Sequence, residues 1–169
     1  MNDELFDVVD ENDTVLCQLP RPVVHKEKRM HRAVHIFVFR SAGKMLIHKR
    51  TKTKEEFPDV WTASASGHVS AGEDYDIAAP RELCEELGVT TSLTRLHKFS
   101  PCPDTCNEHT VLYRTTSDEP LSVDENEIAA VEFLTLSEIH AKIERTPEAF
   151  SPAFRLLFRW FRNNVECSS

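Results

Sequence analysis

The sequence predicts a layered α/β fold, in which helices pack around a sheet as a sandwich. Short runs rich in Val, Ile and Phe recur along the chain and alternate with a few segments of helical periodicity, which is the pattern of such a fold. The 169 residues are enough for one domain with a buried core, and a hydrophobic content of 40% is typical of a soluble globular protein. We therefore expect one domain over residues 1–169.

The first part of the chain predicts two β-hairpins and a short strand. The first hairpin, over residues 4–18, has β-type runs on either side of an acidic turn, and the second turns at residues 41–44 (SAGK). Between them lies a basic connector that carries His25 and His31. Residues 51–60 are polar and predict a loop. The predicted strands are 4–8, 14–18, 33–39, 45–48 and 61–66.

The second part predicts an acidic helix, then strands and two further helices. The acidic helix is expected to begin at Asp76 as its N-cap and to end at Gly88, with Pro80 delaying or bending its start. The last helix carries an apolar stripe from Phe154 to Phe161, which predicts core packing or a dimer face. The expected bounds are 93–99, 109–117 and 127–134 for the strands, and 136–145 and about 151–163 for the helices.

Charge and cysteine content argue against several classes of protein. The net charge of −8 disfavours a surface that coats nucleic acid or binds an anionic membrane. We expect no transmembrane helix and no signal peptide, because the sequence lacks a long apolar run and its N-terminus is acidic. Five irregularly spaced cysteines suit reduced thiols in a cytoplasmic protein. Cys102 and Cys106 lack the second Cys or His pair that a metal clip needs.

Three glutamates share one face of the predicted acidic helix. At about 100° per residue, Glu82, Glu85 and Glu86 fall within an arc of roughly 100°, opposite the apolar residues of the same helix. Like charges at this spacing repel each other, and hard divalent cations with oxygen ligands would offset the repulsion. A solvated acidic face is the alternative, but such a face does not need the glycine loop that precedes this helix. The pattern therefore indicates a cation site.

Residues 67–89 resemble a complete Nudix box. Gly67, Glu73, the run 81–83 (REL), the pair 85–86 (EE) and the pair 88–89 (GV) stand at the spacing of that family. The resemblance implies a Nudix-type α/β/α sandwich with a mixed sheet. It implies a hydrolase that cleaves the pyrophosphate bond of a nucleoside diphosphate linked to another moiety. The implied cofactor is Mg²⁺, with Mn²⁺ as an alternative.

The resemblance also implies a role for each residue of the box. Arg81 is expected to pair with a box carboxylate and hold its orientation, and Glu73 to support that pairing. Members of the family differ over which glutamate is the catalytic base, so that role stays open, as does the number of metal ions. The residues expected to be catalytic or to hold the metal are Gly67, Arg81, Glu82, Glu85 and Glu86.

Candidate residues outside the box are marked more weakly. Arg50 follows Lys49 at the end of a predicted strand. This position is equally consistent with a contact to phosphate and with a solvated charge. Glu108 and Glu127 each precede a predicted strand, where Nudix proteins often place an additional metal-binding or basic glutamate. We expect a small-molecule nucleotide or diphosphate substrate, no nucleic-acid or membrane partner, and a monomer or homodimer.

Residues 4–135 further resemble isopentenyl-diphosphate isomerase and its Nudix relatives, through HRAVHIFVF (31–39) and FPDVWTASASGH (57–68). The isomerase's catalytic cysteine falls on Ser66, and a serine does not readily replace a thiol in that proton transfer. A second acidic metal ligand falls on Cys106. These departures favour a hydrolase, in which His25 and His31 would be scaffold or substrate-loop residues, with a vestigial metal site as the alternative. An isomerase-like enzyme and a non-catalytic nucleotide-binding module are the alternatives. The histidine-rich metal site of the isomerase maps onto His25, His31, His68 and Glu108.

Overall fold

The computed structural model describes residues 4–165. A seven-stranded mixed sheet forms its centre, and a separate two-stranded hairpin lies beside it. The predicted α/β sandwich with a mixed sheet is confirmed. The strands and helices are β1 (Leu5–Val9), β2 (Val15–Pro20), α1 (Arg21–Lys26), β3 (His31–Phe39), β4 (Met45–Arg50), β5 (Trp61–Thr62), β6 (Ala65–His68), α2 (Tyr75–Leu87), β7 (Thr94–Phe99), β8 (Glu108–Thr116), β9 (Ile128–Leu134), α3 (Leu136–Arg145) and α4 (Pro152–Asn164).

Strand β3 is the centre of the sheet. It pairs in parallel with β8 and antiparallel with β4 and β6, while β5 and β9 pair with β4, and β7 pairs with β8. Its sequence contains neither glycine nor proline and is rich in β-branched and aromatic residues, so it suits a strand that is buried on both faces. The register places His31 opposite Glu108 and His35 opposite Ser66, so these four side chains share one face of the sheet.

The two faces of the sheet have separate hydrophobic cores. Helix α2 covers one face and buries Leu83 and Leu87 completely. Helices α3 and α4 cover the other face. The predicted apolar stripe of the last helix packs in the core of the same chain, through Phe154, Leu157, Phe158 and Phe161. No helix within residues 4–165 is both long and apolar enough to cross a membrane.

A buried polar network holds the β1–β2 hairpin beside β3 and α2. Asp13, in the hairpin turn, accepts hydrogen bonds from Arg32 Nε at 2.6 Å, from the Tyr75 hydroxyl at 2.9 Å and from Lys98. Although burial opposes ionisation, these donors hold the pKa of Asp13 below its usual value. A carboxylate with three donors from three other elements fixes the hairpin in one position.

The acidic helix differs from its prediction at its start. Its N-cap is Asp74 rather than Asp76, because the Asp74 carboxylate accepts from the Asp76 N–H at 3.3 Å, and the helix therefore begins at Tyr75. Pro80 lies inside the helix without ending it. Pro80 has no N–H and cannot donate to a carbonyl of the preceding turn. Its side chain is exposed, so the carbonyl without a donor lies on the side of the helix that faces water. The helix ends at Gly88, as predicted.

Two other segments also differ. The predicted strand 61–66 is divided into β5 and β6, because Ser64 between them turns its hydroxyl inward to the Val38 N–H and the Leu46 carbonyl. The basic connector contains an unpredicted short helix, α1, which begins with a proline at its second position and buries Val24. His25 lies on this helix, and its ring is thereby brought to the sheet.

Candidate active site

The backbone of Gly67 lies directly against one carboxylate of the box. It lies in β6, next to α2, and a Cβ atom added there would lie 2.0 Å from Glu82 Cδ. No side chain fits in that space, so only glycine allows the Glu82 carboxylate to rest against the backbone. The sequence predicted Gly67 as a residue that holds the metal, and the structure places it against Glu82, another of the predicted metal ligands.

Burial raises the pKa values of two box glutamates. Burial and the neighbouring Glu82 raise the pKa of Glu86 to about 8, although the Ser66 N–H donates to its carboxylate at 3.0 Å. Burial also raises the pKa of Glu82 to about 7, against the opposing effect of Arg81. Positive charge compensates the burial of these two carboxyl groups only in part, and pKa values raised in this way are typical of functional sites.

Arg81 connects the acidic residues of the box. Its Nε and Nη2 donate to the two carboxylate oxygens of Glu73, each at 2.8 Å. Its Nη1 donates to Glu82 at 2.8 Å and to the largely exposed Glu85 at 3.1 Å. Nη2 also donates to the His68 carbonyl at 3.1 Å. The predicted pairing of Arg81 with a box carboxylate is therefore present, and the planar guanidinium fixes the orientation of Glu82.

A cleft of about 300 Å³ lies in front of these carboxylates. Arg50 reaches it from the end of β4 and donates to the carbonyls of Glu56 and Phe57 at 2.9–3.2 Å. Lys54 also lines the cleft and pairs with Glu127, another of its lining residues. Burial lowers the pKa values of both Arg50 and Lys54. The cleft thus combines acidic residues on α2 with two half-buried cations, Arg50 at the end of β4 and Lys54 on the loop that follows.

Lys49, the neighbour of Arg50, does not line the cleft. Its Nζ pairs with Asp59 at 2.9 Å, near the surface. Side chains alternate between the two faces of a strand, so consecutive residues of β4 point in opposite directions. Of the two basic residues considered for phosphate contact, the structure brings only Arg50 to the carboxylates.

The box residues fit a divalent cation. All three glutamates line the cleft, but within residues 4–165 their oxygens do not form one set closer than 4.8 Å. Glu82 and Glu85 turn toward Arg81, while Glu86 turns toward the Ser66 amide. Mg²⁺ requires only one or two carboxylates, since water and phosphate oxygens complete its coordination. The close approach of Glu82 to Gly67 suits such an ion. So does the incomplete compensation of the Glu82 and Glu86 charges by nearby cations.

His25, His31 and His68 form a second group of possible metal ligands. One nitrogen of each ring lies within 4.8 Å of the others. The Nε2 atom of His25 is buried without a hydrogen-bond partner in the part of the chain that is described. Glu108 Oε1 lies 3.1 Å from His68 Nε2 and 3.3 Å from His31 Nε2. Although burial opposes ionisation, the two histidines hold the pKa of Glu108 well below its usual range.

Glu56 supplies a carboxylate next to this group. It forms an overlapping set with His68 and Glu108, within 4.8 Å. The isomerase resemblance assigned a second acidic ligand to Cys106, but burial raises the pKa of this thiol to about 12, so it is protonated at neutral pH. Neither Cys102 nor Cys106 belongs to a possible metal-binding set among the described residues, and a metal clip is not formed there.

Comparisons with known proteins agree with this geometry. A family model described as the NUDIX domain matches residues 29–156. The chain belongs to the Nudix family. It is 35% identical over 132 residues to the uncharacterized Nudix hydrolase PA4841 of Pseudomonas aeruginosa, which is 78% of each protein. It is 29% identical over 160 residues to Isopentenyl-diphosphate Delta-isomerase 2 of Photorhabdus laumondii, covering 90% of this chain and 89% of the isomerase.

A solved structure of another protein has the same architecture. The crystal structure of DR0079 from Deinococcus radiodurans superposes on this chain with a TM-score of 0.82 at 33% identity, covering 92% of this chain and 98% of the other. The predicted family and its isomerase-like branch are thereby confirmed. Nudix hydrolases generally use divalent metals, which is consistent with the donor set around Gly67.

Several residues of this Nudix cleft were missed from the sequence. Lys54, Glu56 and Phe57 lie in the loop that was predicted only as polar, and a loop without periodicity does not reveal which side chains point inward. His35 was assigned to a strand, and alternation along β3 from the candidate ligand His31 is the signal that could have placed it on the same face.

Proposed function

We propose that this Nudix protein hydrolyses the phosphoric anhydride bond of a nucleoside diphosphate linked to another moiety, with Mg²⁺ or Mn²⁺. The proposal rests on the position of the Glu82 carboxylate. It lies against the backbone of Gly67, with Arg81 and Glu86 beside it in the same cleft. The proposal includes Glu82, Glu85 and Glu86 as the residues that would hold the cation. A bound divalent cation would neutralise phosphate charge and favour ionisation of the attacking water.

Box carboxylates are placed to accept the proton of the attacking water. Water attacks one phosphorus, the bond from that phosphorus to the bridging oxygen breaks, and two phosphorylated products leave. The water loses its proton to a carboxylate, for which pKa values near the working pH are most effective. Without a bound cation, burial raises the pKa values of Glu82 and Glu86 to about 7 and about 8, and a bound cation would favour the ionised form that accepts a proton. Arg81 keeps Glu82 in one orientation during the transfer.

Arg50 and Lys54 are placed to bind the phosphate groups. Both line the cleft opposite the box helix. Arg50 is fixed by its hydrogen bonds to two loop carbonyls, so its position is set before substrate arrives. Lys54 exchanges its contact with Glu127 for a phosphate oxygen at little cost, because both partners are anionic.

The histidine group supports a second cation site and a second candidate function. Three clustered imidazoles next to Glu108, among them the unpaired Nε2 atom of His25, suit a transition metal. The same group favours an isomerase-like enzyme acting on an allylic diphosphate. Ser66 opposes that function, because it stands at the position where the isomerase has its catalytic thiol.

A substrate screen tests the proposal. The protein is incubated with Mg²⁺ or Mn²⁺ and nucleoside diphosphate sugars, dinucleoside polyphosphates, ADP-ribose, NADH, nucleoside triphosphates and isopentenyl diphosphate. We expect cleavage of at least one nucleoside diphosphate derivative into two phosphorylated products, and none without a divalent ion. Isomerisation of isopentenyl diphosphate with no cleavage of any anhydride would replace the hydrolase by the isomerase-like function.

A further inference from the structure

His35 is a buried polar residue in the floor of the cleft that the box chemistry does not use. It lies on β3, on the same face as Ser66, and its side chain lines the cleft. The residue is 7% exposed, and its Nδ1 has no hydrogen-bond partner among residues 4–165. An unpaired buried nitrogen is unfavourable unless a ligand satisfies it.

The imidazole of His35 is uncharged at neutral pH. Burial lowers its pKa to about 4, and Arg50 acts in the same direction. A neutral imidazole has one N–H donor and one nitrogen acceptor. A ligand group that both donates and accepts therefore matches it best.

Besides Arg50, Glu108 and His68, whose charges act on His35, the cleft also has uncharged polar groups on β5 and α4. The hydroxyls of Thr62 and Ser151 lie 2.9 Å apart, and both residues line the cleft. Ser151 is the N-cap of α4, whose first turn faces the same space through Ala153. Pro152 has no N–H, and the Phe154 N–H donates to Ser151, so the Ala153 amide is the free donor of this turn.

This combination selects among the chemical groups that a diphosphate substrate could place here. A further phosphate would require cations. Arg50 and Lys54 have other partners, because Arg50 donates to the Glu56 carbonyl and Lys54 pairs with Glu127. An isoprenoid chain would leave the His35 nitrogen unpaired, which is unfavourable. Sugar hydroxyls donate and accept together, as neutral imidazole, hydroxyl and amide groups require.

We propose that His35, Thr62 and the Ala153 amide form a subsite that binds hydroxyl groups of a sugar in the moiety linked to the nucleoside diphosphate. This inference rests on the proposed function, because it assigns the part of that substrate which is not hydrolysed. His35 is the specificity-determining residue of the subsite. It distinguishes a sugar-bearing substrate from one that ends at the diphosphate.

Binding of two uncleavable ligands tests the subsite without turnover. The pair is ADP-ribose and ADP, each with a methylene group in place of the oxygen between the phosphates, so that they differ only in the terminal ribose. Calorimetry with Mg²⁺ is expected to show that the wild type binds the ribose-bearing ligand at least tenfold more tightly. His35→Phe is expected to reduce this preference to less than threefold, with the Kd of the sugar-free ligand unchanged within twofold.

Further variants separate the subsite from general damage to the fold. His35→Asn, which keeps a donor and an acceptor, is expected to retain part of the preference, and Thr62→Val to lose part of it. Thr110→Val is the matched control, because Thr110 is a buried threonine on the neighbouring strand that does not line the cleft. It should leave the preference unchanged. Thermal unfolding verifies that each variant is folded.

The two proposals fail in different ways. No preference for the ribose-bearing ligand in the wild type, or equal weakening of both ligands by His35→Phe, overturns the subsite. Hydrolysis of nucleoside diphosphate derivatives in the screen would leave the hydrolase proposal standing in that case. Conversely, a preference that depends on His35 in a protein that cleaves no anhydride supports the subsite and refutes the hydrolase.

Discussion

Several residues in the cleft occupy positions that reduce the stability of the fold but suit the binding of a ligand. Glu86 is a carboxyl group that is 6% exposed, and its pKa is raised because burial is not fully compensated. Buried nitrogens of His25 and His35 lack partners in the described part of the chain. Such uncompensated groups reduce stability, and Glu86 and His35 both line the same cleft, which indicates that the cleft is a functional site.

Gly67→Ala is predicted to separate activity from stability. The added Cβ would lie 2.0 Å from Glu82 Cδ. Because the obstructing atoms are the end of a flexible side chain, the carboxylate can move aside and the fold is retained. A displacement of about 1 Å at a reacting group lowers activity by about 100-fold. We expect that loss in hydrolysis rate, with an unfolding midpoint close to that of the wild type.

Gly72→Ala is the matched comparison and should behave in the opposite way. Gly72 has a φ of +75° with open space around it, so alanine there is strained but touches no carboxylate. Strain in the left-handed region costs about 1–2 kcal/mol of stability. Normal stability of Gly72→Ala, or full activity of Gly67→Ala, would contradict the assignment of these two glycines.

Among the structural elements, α2 combines the core and the site. One of its faces buries Leu83 and Leu87, and the other carries the box glutamates. Packing of the apolar face therefore determines where the carboxylates stand relative to β6. The helical period in the sequence was enough to predict this division. The start of the helix was predicted two residues late, because Asp74 and Asp76 are equally plausible caps until the loop geometry is known.

Leu83→Ala is predicted to destabilise the protein by about 2–5 kcal/mol, because it leaves a cavity under α2. Ile77→Ala, on the same helix but at a side chain that is 62% exposed, should change the free energy of unfolding by less than about 1 kcal/mol. Denaturation by guanidinium chloride measures both values. Equal effects of the two variants would show that α2 does not pack on the sheet through Leu83.

At the scale of the whole molecule, two buried histidines make stability depend on pH. Burial lowers the pKa values of His35 and His48 to about 4, whereas a histidine in an unfolded chain has a pKa of about 6.5. Between these values the unfolded chain takes up protons that the folded protein does not. The free energy of unfolding therefore falls as pH decreases from about 6.5 to about 4 and gains nothing from these groups above that window.

His48→Gln isolates this effect away from the cleft. Its contribution to the decrease between pH 6.5 and pH 4 is expected to be up to about 3 kcal/mol, and the variant should lose that part of the slope. His140→Gln, at an exposed site on α3, is the control and should retain the wild-type slope. Identical pH dependence of all three proteins, measured by denaturation, would refute the burial of an uncharged His48.

The fold and the acidic part of the site were accessible from the sequence, whereas the rest of the cleft depends on long-range packing. The box is contiguous, so its spacing alone brings Gly67 and Glu82 together. Lys54 and Glu56 reach the same cleft from a loop whose path is fixed by Arg50 and by pairing of β4 with β5. His25 arrives on a helix that the sequence does not mark. These placements follow from tertiary contacts and not from local pattern.

The most direct measurement of the central claim is the Mg²⁺-dependent hydrolysis rate of Glu82→Gln and Glu86→Gln, with the exposed Glu144→Gln on α3 as the control. Removal of a catalytic or metal-binding carboxylate should lower the rate by about 100-fold or more for both box variants, while Glu144→Gln retains the wild-type rate. Hydrolysis by Glu82→Gln and Glu86→Gln at the wild-type rate would contradict the claim that the carboxylates beside Gly67 perform the chemistry.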